Sequence, residues 1–405
     1  MRVLVVDEAL PVPANSGKRI RTVELLRRLA KDHEIVFVAP EEVPNAAADV
    51  ATMRGYGLDV RLVPRRPLEK RGPRFAWDLL RNVFLCVPYM VMGHRVRAVR
   101  DAVAALASSW KPDVIHVEWT PLVANVPDGL GIPVVVSAHN VESDIWARYR
   151  TAEKGFVRRA YIGLQHRKVE RFERAALAGA DAVTAVSEKD GERIRSWTGQ
   201  AHVTVVPNGV DAAYFAPQRD ARVTPHELLF LGSLDWRPNQ DGVLWFLERV
   251  FPLIRARVPE ATLSVVGRAP PPWFTERVAK YEGATVAGSV PDVRPYLARA
   301  AVTVVPLRVG GGSRLKICEA LAMERPVVST TVGAEGLDVG PGVVLADEPS
   351  AFAEAVAAML ADPVAAMSAA RAGRVRALST HEWGQIAPLE ARAWAEAAAR
   401  AGRRP

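Results

Sequence analysis

Short β-branched apolar runs recur along the chain, with helix-length amphipathic segments between most of them. This is the pattern of parallel βαβ units rather than of a sandwich or a helix bundle. In the first half the predicted strands are Val3 to Asp7, Ile35 to Ala39, Val60 to Val63, Val114 to Val117, Val134 to Ser137 and Ala182 to Val186. Most are apolar throughout, as strands covered on both faces of a sheet must be. A segment at Val203 to Val206 runs into Pro207-Asn208-Gly209, and a new cycle follows: Leu228 to Leu231, Leu263 to Val266, Thr285 to Ala287, Val302 to Pro306, Val327 to Ser329 and Val343 to Leu345. The chain reads as α/β, with two doubly wound halves that meet near Pro207 to Pro217 and share no detectable sequence repeat. The expected division is 1–206, 207–381 and an alanine-rich helical segment 382–405, with Ser379 or Thr380 as its cap.

Composition changes this picture little. The 405 residues are 49% apolar, 24% charged and 7% aromatic, which excludes disordered, collagen-like and fibrous classes. No apolar run approaches the roughly 18 residues of a spanning helix, and Asp7 and Glu8 end the first run too soon for a signal sequence, so a cytoplasmic chain is expected. Cys86 and Cys318, the only cysteines, allow neither a disulfide framework nor a thiolate metal cage.

Charge is segregated. The net charge is +8, but residues 207–384 hold 18 Lys/Arg against 19 Asp/Glu, so the rest carries +9. Residues 61–100 have ten basic and two acidic side chains, and 148–174 have nine and three. Arg65, Arg66, Lys70, Arg71, Arg74 and Arg81 alternate with Phe75, Trp77, Leu79, Leu80, Phe84 and Leu85, a combination suited to an anionic membrane surface. Nucleic acid is the other polyanion such charge suits, and a solvated arginine-rich face is the plain alternative.

In open parallel sheets ligands sit beyond the carboxyl ends of the strands, so the loops there carry the chemistry. Pro13 to Arg19 lets backbone approach a ligand at Gly17, yet matches neither the dinucleotide nor the Walker pattern. The strongest signal is Gly310-Gly311-Gly312-Ser313-Arg314-Leu315-Lys316, which follows a strand and opens a helix. Free N–H groups and the helix dipole make that turn an anion site, to which Ser313, Arg314 and Lys316 add donors and charge. A diphosphate fits. Glu319, more than a turn along, can accept hydrogen bonds from vicinal ribose hydroxyls. Gly267-Arg268 offers a further cation at the same rim.

With Ser137-Ala138-His139-Asn140-Val141-Glu142, Val206 to Asp211, Phe230 to Ser233, Val265 to Arg268 and the glycine-rich turn, the whole chain resembles a family 4 (group 1) glycosyltransferase of the GT-B fold. The branch it resembles includes sugar transferases associated with exopolysaccharide and PEP-CTERM protein-sorting systems. The resemblance implies two Rossmann-like domains facing a central cleft, a nucleotide sugar on the C-terminal one, an acceptor on the N-terminal one, and a last helix that crosses back. Two positions depart from the family. Its glutamate pair, eight residues apart, is reduced to Glu319, with Gly311 in the first place; its Arg and Lys on the loop after the first C-domain strand are replaced by Ser233 and Asn239.

Glycosyl transfer places negative charge on the leaving diphosphate, so cations and N–H donors are the useful groups. Gly17, Gly312, Ser313, Arg314 and Lys316 are expected to supply them, with Arg268 beside them and the backbone of Ser289 and Val290 against the base. The resemblance implies retention of configuration, with the leaving phosphate helping to deprotonate the acceptor, and His139 near the donor sugar as an orienting and charge-supporting group. His116 and Glu118 end a strand at the same rim and read as packing residues. Without Asp-x-Asp or paired histidine ligands a metal has no support, and no cofactor is expected beyond the nucleotide-sugar substrate. The acceptor is expected to be a glycan, lipid-linked or small-molecule hydroxyl, with the protein peripheral on the inner face of the membrane. Two other functions compete: a nucleotide-sugar 2-epimerase of the same architecture, which needs no acceptor, and a non-catalytic polyanion-binding protein. The glycine-rich turn argues against the latter, and no nucleic-acid partner is expected.

Overall fold

The computed structural model describes residues 1–41, 46–65, 72–199, 202–309, 315–337 and 340–401. The chain forms two compact units, one of Met1–Pro207 with Ile386–Pro405 and one of Asn208–Gln385.

The first unit is built on a parallel sheet of β1 (Arg2–Val6), β2 (Glu34–Pro40), β3 (Leu58–Val63), β4 (Val114–Val117), β5 (Val134–Ala138), β6 (Ala182–Ala185) and β7 (Val203–Val205). Their order across the sheet is β3-β2-β1-β4-β5-β6-β7. The second unit has a six-stranded parallel sheet of β8 (Glu227–Leu231), β9 (Thr262–Val266), β10 (Ala284–Gly288), β11 (Val302–Val305), β12 (Val327–Ser329) and β13 (Val343–Leu345), ordered β10-β9-β8-β11-β12-β13. Every predicted run became a strand, because β-branched residues buried on both faces have few alternatives. The cores follow: Leu4, Val6, Val38, Ile115, Val117 and Val136 in the first unit, and Leu228, Phe230, Phe246, Val265, Val304 and Phe352 in the second.

In each sheet the strand order reverses once, between β1 and β4 and between β8 and β11. The loops leaving two such neighbours run in opposite directions and open a crevice at the carboxyl edge. Asp7 to Gly17 follows β1 and Glu118 follows β4; Gly232-Ser233 follows β8, and the glycine-rich turn follows β11.

The cap expected of Ser379 or Thr380 is not there. Both lie in the last turn of the helix Pro363–His381, where their hydroxyls donate back to the Arg376 carbonyl at 2.8 and 3.2 Å. The helix ends because Val210 N–H donates to the His381 carbonyl at 2.6 Å and pairs with Glu382. The final helix, Trp383–Ala401, then starts with the Glu382 carboxylate accepting from Gly384 N–H. Among the described residues no single helix is long and apolar enough to cross a membrane.

Candidate functional site

In the second unit the strand-end loops touch backbone to backbone. Gly232 N–H donates to the Val266 carbonyl and Gly267 N–H to that of Gly288, each at 3.0 Å. A Cβ on Gly267 would stand 1.7 Å from the Gly232 carbonyl oxygen, so only glycine fits. Gly232 in turn makes room for two side chains, since a Cβ there would lie 2.8 Å from Lys316 Nζ and 2.7 Å from Asn239 Nδ2.

Into that space Lys316 extends its ammonium, which donates to Asn239 Oδ1 at 3.1 Å and lies 4.5 Å from the centre of the Phe230 ring. Asn239 is buried and donates to the Ser233 carbonyl at 2.8 Å. Arg268 Nε reaches Ser233 Oγ at 3.3 Å, and its guanidinium pairs with Asp235 at 3.1 Å. Ser233 and Asn239, the two departures from the family pattern, therefore hold the two cations instead of supplying charge themselves.

Lys316 and Glu319 share a face of the helix Leu315–Ala322. Burial pushes the Glu319 carboxyl up to about 7, against the pull of Lys316. Ser289 Oγ accepts from Ala269 N–H at 3.1 Å and so steadies Ala269, a non-glycine residue at φ 49°; Val290 packs against the core. Gly311, Gly312, Ser313 and Arg314, with Gly310, lie outside the described residues.

One residue at this site escapes sequence reasoning. Asp211 accepts from the N–H groups of Ala213 and Tyr214, both at 3.0 Å. This turn presents Tyr214 under the Arg294 guanidinium, 3.9 Å from the ring centre. Burial and the neighbouring Asp292 raise the phenol, and Glu319 adds to the shift, which puts Tyr214 within electrostatic reach of that carboxylate. The only signal was its place three residues after the Pro207-Asn208-Gly209-Val210-Asp211 motif.

The first unit gathers a polar cluster at its own switch point. Gly17 opens the helix Gly17–Leu29. Beside it Lys18 Nζ lies 2.6 Å from Asp7 Oδ1 and 2.7 Å from Glu8 Oε1, while Glu8 also meets His94 Nε2 at 3.3 Å. Burial lifts Asp7 to about 7 despite Lys18. Glu8 moves the other way, because Lys18 and His94 outweigh its burial.

Next to these groups His139 Nε2 lies 2.9 Å from Glu118 Oε2, and Glu118 Oε1 lies 3.3 Å from His116 Nε2. Trp394 Nε1 of the last helix donates to His116 Nδ1 at 3.0 Å. Glu390, one turn earlier, stands 3.6 Å from that same nitrogen and 3.8 Å from Arg21. Arg21 is buried and donates to the Pro207 carbonyl at 2.8 Å. Glu118, read from the sequence as a packing residue, is buried and lies directly against the candidate histidine.

The helix Pro73–Phe84 turns its apolar side outward. Trp77 is 64% and Phe84 83% exposed, with Leu80 between them, whereas the polar Asn82 is buried and bonded to Gln165 at 2.7 Å. Lys168 donates to the Asn82 carbonyl near the helix end. It belongs to the helix Phe156–Gly179, whose start exposes Phe156 (86%) and Val157 beside Arg158 and Arg159. Arg66, Lys70 and Arg71 lie outside the described residues.

Two family models match the chain: Glycosyltransferase Family 4 over residues 16–214 and Glycosyl transferases group 1 over residues 225–362. A curated relative, the GDP-mannose-dependent alpha-(1-6)-phosphatidylinositol monomannoside mannosyltransferase of Mycolicibacterium smegmatis, is 32% identical over 221 residues. That match spans 48% of this chain and only 57% of the relative. Among solved structures, HepE of Anabaena in complex with UDP and glucose superposes with a TM-score of 0.67 at 12% identity, covering 98% of this chain and 99% of that one. TarM of S. aureus gives 0.68 at 8% identity, covering 97% and 99%. At such identities the likeness establishes the fold, and the fold is GT-B.

Proposed function

The chain belongs to the family 4, group 1 glycosyltransferases, and we propose that it moves a sugar from a nucleoside diphosphate sugar to an acceptor hydroxyl. One observation carries this reading: interlocked Gly232 and Gly267 backbones leave a slot in which Lys316 is seated on Asn239, with Arg268 on Ser233 and the Glu319 carboxylate one helical turn away. A cation pair suits a diphosphate, and a carboxylate suits the two ribose hydroxyls beyond it.

In the proposed reaction the diphosphate leaves as positive charge develops at the anomeric carbon. Lys316 and Arg268, with Arg314 and the N–H groups of Gly17, Gly311, Gly312 and Ser313, stabilise the departing oxygens. The backbone of Ser289 and Val290 meets the base. His139 holds a hydroxyl of the transferred hexose. Configuration is retained, no metal takes part, and the leaving phosphate accepts the acceptor's proton. The acceptor is proposed to be a lipid-linked glycan in exopolysaccharide-type assembly, met by a protein that sits peripherally on the inner face of the membrane. The outward apolar face of Pro73–Phe84 supports this, as does the relative whose name places its acceptor on phosphatidylinositol.

A thermal-shift screen over UDP-, GDP-, ADP- and TDP-sugars tests the proposal, since a ligand that binds only the folded state raises the midpoint by mass action. At least one donor should raise it and be consumed faster with added glycolipid. No shift with any donor rejects the reading, and conversion of the sugar without acceptor would identify an epimerase.

A further inference from the structure

We propose that Glu118 is a positioning residue for the transfer reaction: by accepting the Nε2 proton of His139 it leaves Nδ1 bare, so that His139 receives a hydrogen bond from a sugar hydroxyl and does not donate one to an anion. The inference rests on the glycosyltransferase reading given above and adds to it the direction of a hydrogen bond and the residue that sets it.

The placement follows from the sheet. Val117 of β4 lies opposite Val136 of β5, so Glu118 and His139 leave adjacent parallel strands at the same edge. The 2.9 Å contact between Glu118 Oε2 and His139 Nε2 is buried. Its direction depends on where the protons are, and a third residue decides that. Against its burial, Glu118 and Glu390 raise the His116 ring, but an indole N–H only donates, so the Nδ1 of His116 that receives Trp394 Nε1 carries no proton, and the His116 proton is on Nε2, facing Glu118 Oε1. Glu118 Oε1 thereby faces one imidazole N–H at 3.3 Å, while Oε2 lies 2.9 Å from the His139 nitrogen.

Burial raises Glu118, but the hydrogen bonds and charge of His116 and His139 more than offset it and hold the group well below the usual carboxylate range. An ionised carboxylate has only acceptors, so His139 Nε2 is the donor. Burial, helped by Arg21 and Lys18, lowers His139 despite Glu118 and keeps the ring neutral at pH 7. The remaining nitrogen, Nδ1, is then an acceptor, and no described residue bonds to it. A ligand oxygen that meets it must bring its own proton, as a sugar hydroxyl does and an ionised phosphate does not.

The substitution Glu118→Gln tests this because an amide offers one acceptor and one donor. His116, locked by Trp394, keeps its proton on Nε2 and takes the amide oxygen; the amide NH2 then faces His139 and drives its proton to Nδ1. Long-range proton–nitrogen NMR of the imidazoles should show His139 protonated on Nε2 in the wild type and on Nδ1 in E118Q. In the same variant, release of nucleoside diphosphate from UDP-glucose or GDP-mannose, whichever the wild type consumes, should fall in kcat by about 10- to 100-fold, the worth of a hydrogen bond in a buried site. A wild-type spectrum with His139 protonated on Nδ1 overturns the proposal without any variant having to fold. So does an E118Q protein with the switched tautomer and undiminished kcat. If the wild type consumes no donor at all, the glycosyltransferase reading fails, while the wild-type spectrum still decides the tautomer.

Discussion

Glu319 makes the pH dependence of nucleotide-sugar binding a sharp test of the second unit. Its carboxyl is raised to about 7 in the ligand-free protein by burial, with Lys316 the opposing influence. Only the ionised form can accept hydrogen bonds from both ribose hydroxyls, so binding must remove the proton wherever the group still holds it. The sign follows: affinity is full above pH 7 and declines as pH falls through it. A group of that pKa is about nine-tenths ionised at pH 8 and about one-tenth at pH 6, so the dissociation constant should rise about tenfold between them, or about 1.4 kcal/mol. The diphosphate diester of a nucleotide sugar stays fully ionised over this range and adds no slope, unlike a free nucleoside diphosphate. Titration calorimetry with UDP-glucose and GDP-mannose at pH 6, 7 and 8 reads the effect. In Glu319→Gln the binding should be weaker by about tenfold at pH 8, and flat with pH. Equal slopes in wild type and E319Q, or affinity that improves on acidification, would refute the assignment of Glu319 to the ribose.

Three further outcomes check other parts of the picture. Lys316→Met should weaken nucleotide-sugar binding by about 10- to 100-fold and reduce its salt dependence, measured by the same calorimetry; unchanged affinity would place the diphosphate elsewhere. Gly267→Ala forces a Cβ to within 1.7 Å of the Gly232 carbonyl and should cost about 3 kcal/mol or more, read as a lower denaturation midpoint in urea; an unshifted midpoint would mean the two loops are not interlocked. The wild type should co-sediment with phosphatidylglycerol vesicles at low salt, and Trp77→Ser with Phe84→Ser should reduce that retention by about tenfold or more with unchanged circular dichroism; a wild type left in the supernatant would remove the membrane surface from the proposal.

How much of this was legible depended on the range of the physics involved. The strands were readable because burial on both faces writes itself into consecutive residues, and Lys316 with Glu319 was readable because a helix places residues three apart on one face. Ser379 and Thr380 misled because a hydroxyl that caps one helix and one that donates back within the preceding helix look alike in sequence; the helix end was set by Val210, far upstream. Likewise the roles of Ser233 and Asn239 emerged only once folding had brought Lys316 and Arg268 onto them.

Periodicity over Pro73–Phe84 defines an apolar face but not which way it points, and ordinary amphipathic logic would turn Trp77, Leu80 and Phe84 inward. The structure turns them out because the opposite face carries Asn82, whose amide donates to the Val87 carbonyl while its oxygen accepts from Gln165. Turning the helix over would bury the large side chains, but it would strip both bonds from Asn82 and leave Gln165 without its acceptor. Unmade buried hydrogen bonds of that kind cost about 1–3 kcal/mol each, comparable with the gain from covering one large apolar side chain. An outward face held by an inward amide is therefore held by specific bonds, and the same is true of His139, whose Nε2 is held by Glu118, itself flanked by His116 and, behind that, Trp394.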